Sequence, residues 1–388
     1  MRDVYVVGVG STKYGKMRES VREGAALAAL EAIENSKIDP RLIDGAFIAN
    51  AFAVTERQGH VGPLVMSALG IPEKPASTIE AACASGASAF REAVVNVAGG
   101  FADAYMAIGV EKVSTLDTIT ATGYFAMGSD FVYEGACGAS FPGLYAMLAR
   151  AHMQRYGTTE EQLAAVAVKN HANAKHNEKA HFQKEITAEM HKESMVVSSP
   201  LRLYDACPFS DGAAAAIVAT KEVAQRLGGP MIKVAGMGRA GSVASLPDRV
   251  ATDLTTLPGA KLAMKQALDR WGKPASKIDF AEVHDCFTIA EIIASEDLGF
   301  FAPGTGAKAV EAGETKIGGR IPINPSGGLK AKGHPVGATG VGQIYEIYNQ
   351  LAGKVNPARQ VRGAKVGLAH NVGATGGSVA VTILEVEN

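Results

Sequence analysis

The sequence has little of what would tie it to a membrane, a nucleic acid or a metal. Its net charge is −1 over 388 residues, so it has no general attraction to polyanions. No apolar run approaches the roughly 18 residues that cross a bilayer. The cysteines are far apart and form no Cys-x-x-Cys pair, which argues against zinc knuckles and disulfides. We therefore expect no nucleic-acid partner, no membrane partner and no bound metal.

The first residues lack the pattern of a secretory signal. The stretch MRDVYVVGVG enters a strand-like run without a charged leader, a long apolar segment and a small-residue cleavage site. We therefore expect a cytoplasmic protein. In that reducing compartment a free cysteine is either a core residue or a reactive one. The sequences around Cys137 and Cys207 favour packing, so we predict structural roles for both.

Apolar runs alternate with alanine-rich helical runs along the whole chain, which is typical of an α/β protein. The predicted strands are 4–10, 45–52, 104–110, 213–220, 232–238, 280–287 and 364–372. The predicted helices are 20–36, 84–98, 159–178, 258–272 and 338–352.

The chain also contains an internal repeat. Residues 24–52 align without a gap on residues 259–287 with nine identities, at helix-face and strand positions. At a different offset ACASGAS (82–88) aligns on GHPVGAT (333–339), and Cys83 then coincides with His334. Two similar halves packed about a pseudo-two-fold axis would bring these two helix starts toward one centre. An alanine-rich composition is the alternative explanation of the first match.

Cys83 lies in EAACASGASA, among residues with almost no side-chain bulk and at the expected start of a helix. Unpaired N–H groups and the positive end of the helix dipole stabilise a thiolate there. His334 is flanked by Gly333 and Pro335, in a segment with eight glycines between 318 and 342. An imidazole within reach of Cys83 would take its proton and hold an ion pair. Taken singly, each residue also fits a structural role.

The two halves differ at the ends of their matching strands. HDCF (284–287) is polar or reactive where its counterpart ANAF (49–52) is mostly apolar. This difference predicts a site at the carboxyl end of the second strand. AHNVGATGGS (369–378) places another His-Asn pair before a glycine-rich turn, whose N–H groups suit an oxyanion.

The first half, 1–228, is 68 residues longer than the second half, 229–388, and most of the excess lies between 113 and 200. This insert contains HANAKHNEKAHFQK, which is either a solvated helix and loop or a cover over an anionic ligand. Its histidines repeat every five residues, which is not the i, i+4 spacing of helical metal ligands.

Together, CASG at a helix start, SDGAAAAIV before a mid-chain strand, GHPVGATG and the two similar halves resemble the thiolase family. The resemblance covers the whole chain. It implies a five-layered α-β-α-β-α fold of two related halves, with a loop domain of about 113–200 inserted in the first. It also implies an acyl-enzyme on Cys83, His334 as the activating base, and coenzyme A thioesters as substrates without a separate cofactor.

One departure from most thiolases narrows the resemblance. The usual second cysteine in a CxG motif is replaced by HNVG (370–373), and the usual NEAF by HDCF. Sterol-carrier-protein-type thiolases and archaeal acetoacetyl-CoA thiolases share this variant. By that match Cys286 is the second acid/base, His284 replaces the Asn that positions an oxyanion-hole water, and His370 lines the site. The implied coenzyme A contacts are Lys169, His171, Lys175, Ser326 and Gly327.

The subgroup implies a reversible condensation of two acetyl-CoA molecules to acetoacetyl-CoA, supplying the mevalonate pathway of isoprenoid synthesis. Expected partners are a second copy in a homodimer or tetramer, hydroxymethylglutaryl-CoA synthase, and a small bridging protein with a zinc ribbon and an OB domain. Three alternatives stay open: a thiolase for longer 3-ketoacyl-CoA chains, a thiolase-fold aldolase, and a non-catalytic lipid-handling or scaffold protein. Aldolases of this fold dispense with the cysteine, so Cys83 speaks against that alternative.

Overall fold

The computed structural model describes residues 1–249 and 253–387; residues 250–252 and 388 of the predicted second half lie outside it. Its strands are β1 (Val4–Ser11), β2 (Ala46–Ala49), β3 (Ala76–Ile79), β4 (Ala104–Glu111), β5 (Val196–Ser198), β6 (Leu201–Arg202), β7 (Gly212–Thr220), β8 (Ile232–Gly241), β9 (Phe280–Glu282), β10 (Val366–Gly373) and β11 (Ser378–Val386). Its helices are α1 (Val21–Ser36), α2 (Val61–Ala68), α3 (Ser85–Gly99), α4 (Thr118–Ala126), α5 (Phe141–Tyr156), α6 (Glu160–Ala174), α7 (Ala188–Glu193), α8 (Lys221–Leu227), α9 (Leu246–Arg249), α10 (Pro258–Trp271), α11 (Thr288–Asp297), α12 (Gly306–Glu311) and α13 (Thr339–Leu351).

A nine-stranded sheet contains both halves of the repeat, in the order β3-β2-β4-β7-β1-β8-β11-β10-β9. The order β1-β7-β4-β2 on one side recurs as β8-β11-β10-β9 on the other. The two series meet where β1 and β8 pair antiparallel, with Val6 opposite Ile232. The repeat in the sequence is thus a repeat of strand order, related by a pseudo-two-fold axis between β1 and β8.

Glycines let the outer helices lie directly on the sheet in both halves. An added Cβ at Gly10 of β1 would overlap the carbonyl oxygen of Ala28 in α1. At Gly238 of β8 an added Cβ would overlap the carbonyl oxygen of Ala263 in α10, and Ala263 is the aligned partner of Ala28. The same close contact between helix and strand is therefore built twice.

Helices α3 and α13 form the middle layer, enclosed by apolar residues from both sets of strands. Their first turns nearly touch, because an added Cβ at Gly86 would lie 2.9 Å from the backbone nitrogen of Gly340. The two series of strands are the β layers on either side of α3 and α13, and α1 and α10 lie outside them. The layers therefore follow the order α-β-α-β-α, so the predicted fold is confirmed. The starts of the two central helices meet at the centre of the molecule.

The insert between 113 and 200 contains α4 to α7 and packs mainly on the second half. Helix α6 lies against α11, α12 and a π-helical turn at Gly328–Lys332, and α5 lies against α11. Leu144, Leu163 and Val166 of the insert share one core with Ile289 and Leu329. Among the described residues, no helix combines the length and hydrophobicity needed to span a bilayer.

Candidate active site

Cys83 lies in a 3-10 turn, Ala82–Ala84, that leads into α3 at Ser85. The turn is fixed by the Ser85 hydroxyl, which accepts from the Ala81 N–H at 2.8 Å and donates to the Ala82 carbonyl at 2.6 Å. Ala82 has φ +49°, a left-handed conformation that is strained for alanine. The backbone therefore holds the thiol at the entrance to the central helix.

The structure brings Cys83 together with two imidazoles from the second half. The Cys83 sulfur and ring nitrogens of His284 and His334 all lie within 4.8 Å of one another. The two rings stand nearly perpendicular, with centroids 5.1 Å apart. His284 follows β9, and His334 precedes α13. The pseudo-two-fold packing thus unites a thiol from one half with imidazoles from the other.

Hydrogen bonds at the far side of each ring fix which nitrogen carries the proton. The Thr339 hydroxyl donates to the Pro335 carbonyl at 3.1 Å, so its oxygen accepts from Nδ1–H of His334 at 2.6 Å. Nε2 of His334 then has a free lone pair. The Asn371 amide donates to Nδ1 of His284 at 3.2 Å, so Nε2 of His284 carries the hydrogen.

The Nε2–H group of His284 is an unused hydrogen-bond donor. Nε2 of His284 is buried and has no hydrogen-bond partner among residues 1–249 and 253–387. A buried donor without a partner costs free energy, and it suits an oxyanion that forms only during a reaction. The cluster therefore offers a nucleophilic sulfur, a base and an oxyanion donor.

Burial decides the resting protonation of this cluster. It raises the pKa of the Cys83 thiol to about 12, although the backbone N–H of Ala374 bonds to the sulfur and acts in the opposite direction. Burial lowers the pKa of His334 to about 3. Both shifts favour the neutral thiol and the neutral imidazole. Burial thus opposes the expected thiolate–imidazolium pair at rest and favours a neutral pair.

Cys286 follows β9 and is buried, with its side chain hydrogen-bonded to the hydroxyl of Tyr145. Burial raises the pKa of this thiol well above its usual value. His370 in β10 is fully buried, and neither ring nitrogen has a hydrogen-bond partner in the described ranges. Burial lowers the pKa of His370 to about 3.

A cavity of about 410 Å³ opens beside the sulfurs of Cys83 and Cys286 and the imidazole of His334. Its apolar wall includes Phe125, Phe141, Met195, Leu203, Phe209 and Phe287. Residues of the insert and of the second half both contribute to this wall. The cavity can hold an apolar acyl group against the Cys83 sulfur. His370 is not part of the wall, which differs from its expected position.

Cys207 is a wall residue that the sequence analysis assigned to packing. Its N–H donates to the carbonyl of Cys286 at 2.9 Å, which lays the two loops side by side. Tyr145 also lines the cavity and was not singled out from the sequence. No local pattern marked either residue, since only tertiary packing brings them to the site. Cys137 is exposed and lies outside this wall.

Most of the residues expected to contact coenzyme A are engaged inside the protein. Lys169 is 3% exposed, and its ammonium pairs with Glu291 at 2.7 Å. Ser326 is fully buried and donates to the Glu282 carboxylate at 2.6 Å. Neither side chain is free for a ligand, so we correct these two assignments.

The other three expected contacts differ in exposure. His171 is buried, with Nδ1 bonded to the carbonyl of Lys184 at 2.9 Å, and Gly327 lies against Ala174. These two positions also give no support to a ligand contact. Lys175 alone is near solvent, where it pairs with Glu185 at 3.0 Å.

The chain matches two family models: "Thiolase, N-terminal domain" over residues 4–222 and "Thiolase C-terminal domain-like" over residues 242–386. It is 43% identical to an acetyl-CoA acetyltransferase of Methanothermobacter thermautotrophicus, over 99% of each chain. It is 40% identical to an acetyl-CoA acetyltransferase of Methanocaldococcus jannaschii, again over 99% of each. Among solved structures, the Ltp2-ChsH2(DUF35) aldolase superposes with a TM-score of 0.86 at 25% identity, covering 99% of this chain and 98% of the other.

Proposed function

Because the chain belongs to the thiolase family, we propose that it reversibly condenses two acetyl-CoA molecules to acetoacetyl-CoA through an acetyl group on Cys83. One observation carries the proposal: the Cys83 sulfur lies within 4.8 Å of ring nitrogens of His284 and His334, beside an acyl-sized cavity. The two archaeal acetyl-CoA acetyltransferases, at 43% and 40% identity, support acetyl-CoA as the substrate.

In the first step, Nε2 of His334 takes the proton of the Cys83 thiol as the sulfur attacks the acetyl carbonyl. The bond between that carbon and the coenzyme A sulfur breaks, and the departing sulfur takes this proton from His334. The products are acetyl-Cys83, free coenzyme A, a neutral imidazole on His334 and an unchanged thiol on Cys286.

In the second step, the Cys286 thiol first loses its proton to solvent, and its thiolate removes a proton from the methyl group of a second acetyl-CoA. The carbanion attacks the acetyl carbonyl on Cys83, the carbon–sulfur bond breaks, and the departing Cys83 sulfur takes up a proton from solvent. All three groups are then restored, so the same residues serve both directions. His370 receives no proton in this scheme, because its ring is not part of the cavity wall.

Two donors are available for the charge that develops on oxygen. Nε2–H of His284 has no partner among the described residues, and the N–H of Ala374 already points at the Cys83 sulfur. A preorganised donor of this kind stabilises a transition state by about 3 kcal/mol. Such stabilisation is needed because a thiolate is a weak base for a thioester methyl group.

The proposal is tested by incubating the purified protein with acetyl-CoA and following acetoacetyl-CoA and free coenzyme A separately. We expect both products from the natural protein. Cys286→Ala should still release coenzyme A once per chain but should form no acetoacetyl-CoA. Cys137→Ala, which alters an exposed thiol elsewhere, is the matched control and should behave as the natural protein does. Unchanged condensation by Cys286→Ala would refute the assigned role.

A second candidate is thiolysis of longer 3-ketoacyl-CoA chains. The aromatic and aliphatic side chains around the 410 Å³ cavity favour it, because they leave apolar space beyond an acetyl group. Turnover of acetoacetyl-CoA and 3-ketooctanoyl-CoA, measured side by side, separates the two candidates. A higher kcat/KM for the longer substrate would replace the first proposal. A protein that turns over neither substrate and resists iodoacetamide would be a non-catalytic lipid-handling or scaffold protein.

Assembly and location are also proposals. We expect a homodimer or tetramer in the cytoplasm that supplies hydroxymethylglutaryl-CoA synthase through a zinc-ribbon and OB-domain bridging protein. The name of the Ltp2-ChsH2(DUF35) aldolase joins a DUF35 component to a protein of this fold, which supports a search for such a partner. Co-expression followed by size-exclusion chromatography tests it, and recovery of the thiolase alone would count against it.

A further inference from the structure

Tyr145 lines the same cavity as the two sulfurs that the proposed reaction uses. Tyr145 lies on α5, is 1% exposed, and stacks on Phe287 with ring centroids 4.7 Å apart. Its hydroxyl donates to the Ala374 carbonyl at 2.9 Å. The Cys286 side chain is the other polar neighbour of this hydroxyl: both residues line the cavity, and a hydrogen bond between them shifts the pKa of both groups.

Ala374 extends this arrangement to Cys83. Its own N–H bonds to the Cys83 sulfur, and its φ of +53° holds it in a left-handed turn between β10 and β11. The hydrogen bonds therefore run from Cys286 through Tyr145 and Ala374 to Cys83. The proposed mechanism so far uses only the Ala374 N–H of this connection.

A phenol has a single hydrogen to donate, so Tyr145 cannot serve both neighbours equally. While Cys286 is a thiol, the phenol donates to the Ala374 carbonyl and its oxygen accepts the S–H. Once Cys286 becomes a thiolate, that sulfur is the stronger acceptor, since it carries a charge. Rotation about the C–O bond then transfers the hydrogen bond to sulfur.

We propose that Tyr145 is a positioning residue for the proton-transfer half of the reaction, whose hydroxyl turns from the Ala374 carbonyl to the Cys286 thiolate when that thiolate forms. This inference rests on the proposed function. No bond other than hydrogen bonds changes at Tyr145, and the phenol keeps its proton throughout.

The surroundings of Cys286 give the sign of the effect. Burial raises its pKa most, and the neighbouring Cys207, Cys83 and Asp285 raise it further, whereas the hydrogen bond with Tyr145 lowers it. Removing the hydroxyl therefore raises the pKa of Cys286 and reduces its thiolate at neutral pH. The pH profile of condensation should move to alkaline values, while acetylation of Cys83 should be largely unaffected.

The test compares Tyr145→Phe with Tyr348→Phe, measuring acetylation of Cys83 and condensation separately between pH 6 and 10. Tyr348 is a matched control, because it is also 1% exposed and its hydroxyl bonds a backbone carbonyl, that of Val7, away from the cavity. We expect Tyr145→Phe to lower condensation about tenfold at pH 7, the effect of one hydrogen bond, and to change acetylation less than about threefold. Tyr348→Phe should change neither step.

An equal loss in both steps, or an unshifted pH profile of condensation, would overturn the proposal. If Tyr145→Phe fails to fold, 3-fluorotyrosine at position 145 keeps the shape and makes the phenol a stronger donor. The profile should then move to acidic values, and no movement would contradict the proposal. Loss of acetylation in wild-type protein would instead refute the proposed function itself, so the two failures are distinguishable.

Discussion

The two halves of the sheet share one frame and differ at their carboxyl edge. Ala46 of β2 pairs with Met106 of β4, and the aligned Ala281 of β9 pairs with Leu368 of β10. Met106 therefore corresponds to Leu368. Two residues further along each strand, Ile108 of the first half corresponds to His370 of the second, and Gly109 then corresponds to Asn371. In the neighbouring strands, ANAF (49–52) corresponds to HDCF (284–287).

The mostly apolar edge of the first half has a different use. The carboxylate of Glu111 at the end of β4 accepts from the N–H of Ala51 at 2.9 Å and from the N–H of Gly337 at 3.1 Å. Gly337 belongs to the loop that carries His334. The first half therefore supplies the thiol and supports the loop of the other half, whereas the second half supplies the imidazoles and a further thiol. The repeated frame therefore has a different role in each half.

The largest expected effect comes from removing the thiol of the first half. Cys83→Ala should abolish acyl transfer, a loss of at least about 10³-fold, because it removes the sulfur that carries the acetyl group. Free coenzyme A release from acetyl-CoA measures it. Measurable release by Cys83→Ala would mean that the first half does not supply the thiol that carries the acetyl group.

The next effect comes from the edge of the second half. His284→Ala should lower kcat about 10²-fold to 10³-fold, because it removes the Nε2–H group, the oxyanion donor that has no partner among the described residues. Steady-state kinetics in the thiolysis direction measure it, with circular dichroism as the control for folding. If kcat decreases less than threefold, His284 is not a donor to the oxyanion.

A smaller effect should follow from adding one methyl group to the first half. A Cβ at Gly109 would lie 2.5 Å from the Gly337 oxygen and 2.6 Å from the Ala338 Cα, so Gly109→Ala should push the loop of His334 away. We expect about tenfold lower activity and a loss of about 1–3 kcal/mol in unfolding free energy. Gly123→Ala, where a Cβ meets nothing within 4 Å, is the control. Equal behaviour of the two variants would show that the first half does not support that loop.

The last expected effect is a pH dependence and needs no substitution. Because burial raises the pKa of Cys83 to about 12, its thiolate fraction should grow about tenfold per pH unit between pH 7 and 9. Alkylation of the Cys83 peptide by iodoacetamide should rise in proportion. A rate that levels off below pH 8 would instead indicate the thiolate–imidazolium pair that the helix start alone suggested.

The sequence was enough for the repeat and for the meeting of Cys83 with His334, since these follow from aligned helices, strands and helix starts. The layers were implied by the resemblance to thiolases. The sequence could not predict the resting charge of Cys83, because local position shows the helix dipole but not the depth of burial. Nor could it predict that Lys169 pairs with Glu291, a residue far along the chain on α11.

The wall of the cavity shows the same limit. Tyr145 and Cys207 come from α5 and from a loop before β7, and only the packing of the insert on the second half brings them beside Cys286. Neither residue belongs to a short motif. Residues that act through tertiary contacts of this kind need the structure to be found.

The location of the acetyl group decides whether Cys83 is the nucleophile, since three cysteines, Cys83, Cys207 and Cys286, line one cavity. The protein would be quenched in acid shortly after mixing with acetyl-CoA, and its peptides analysed by mass spectrometry. We predict acetyl mass on the Cys83 peptide alone. Acetyl mass on Cys207 or Cys286, with Cys83 unmodified, would contradict it.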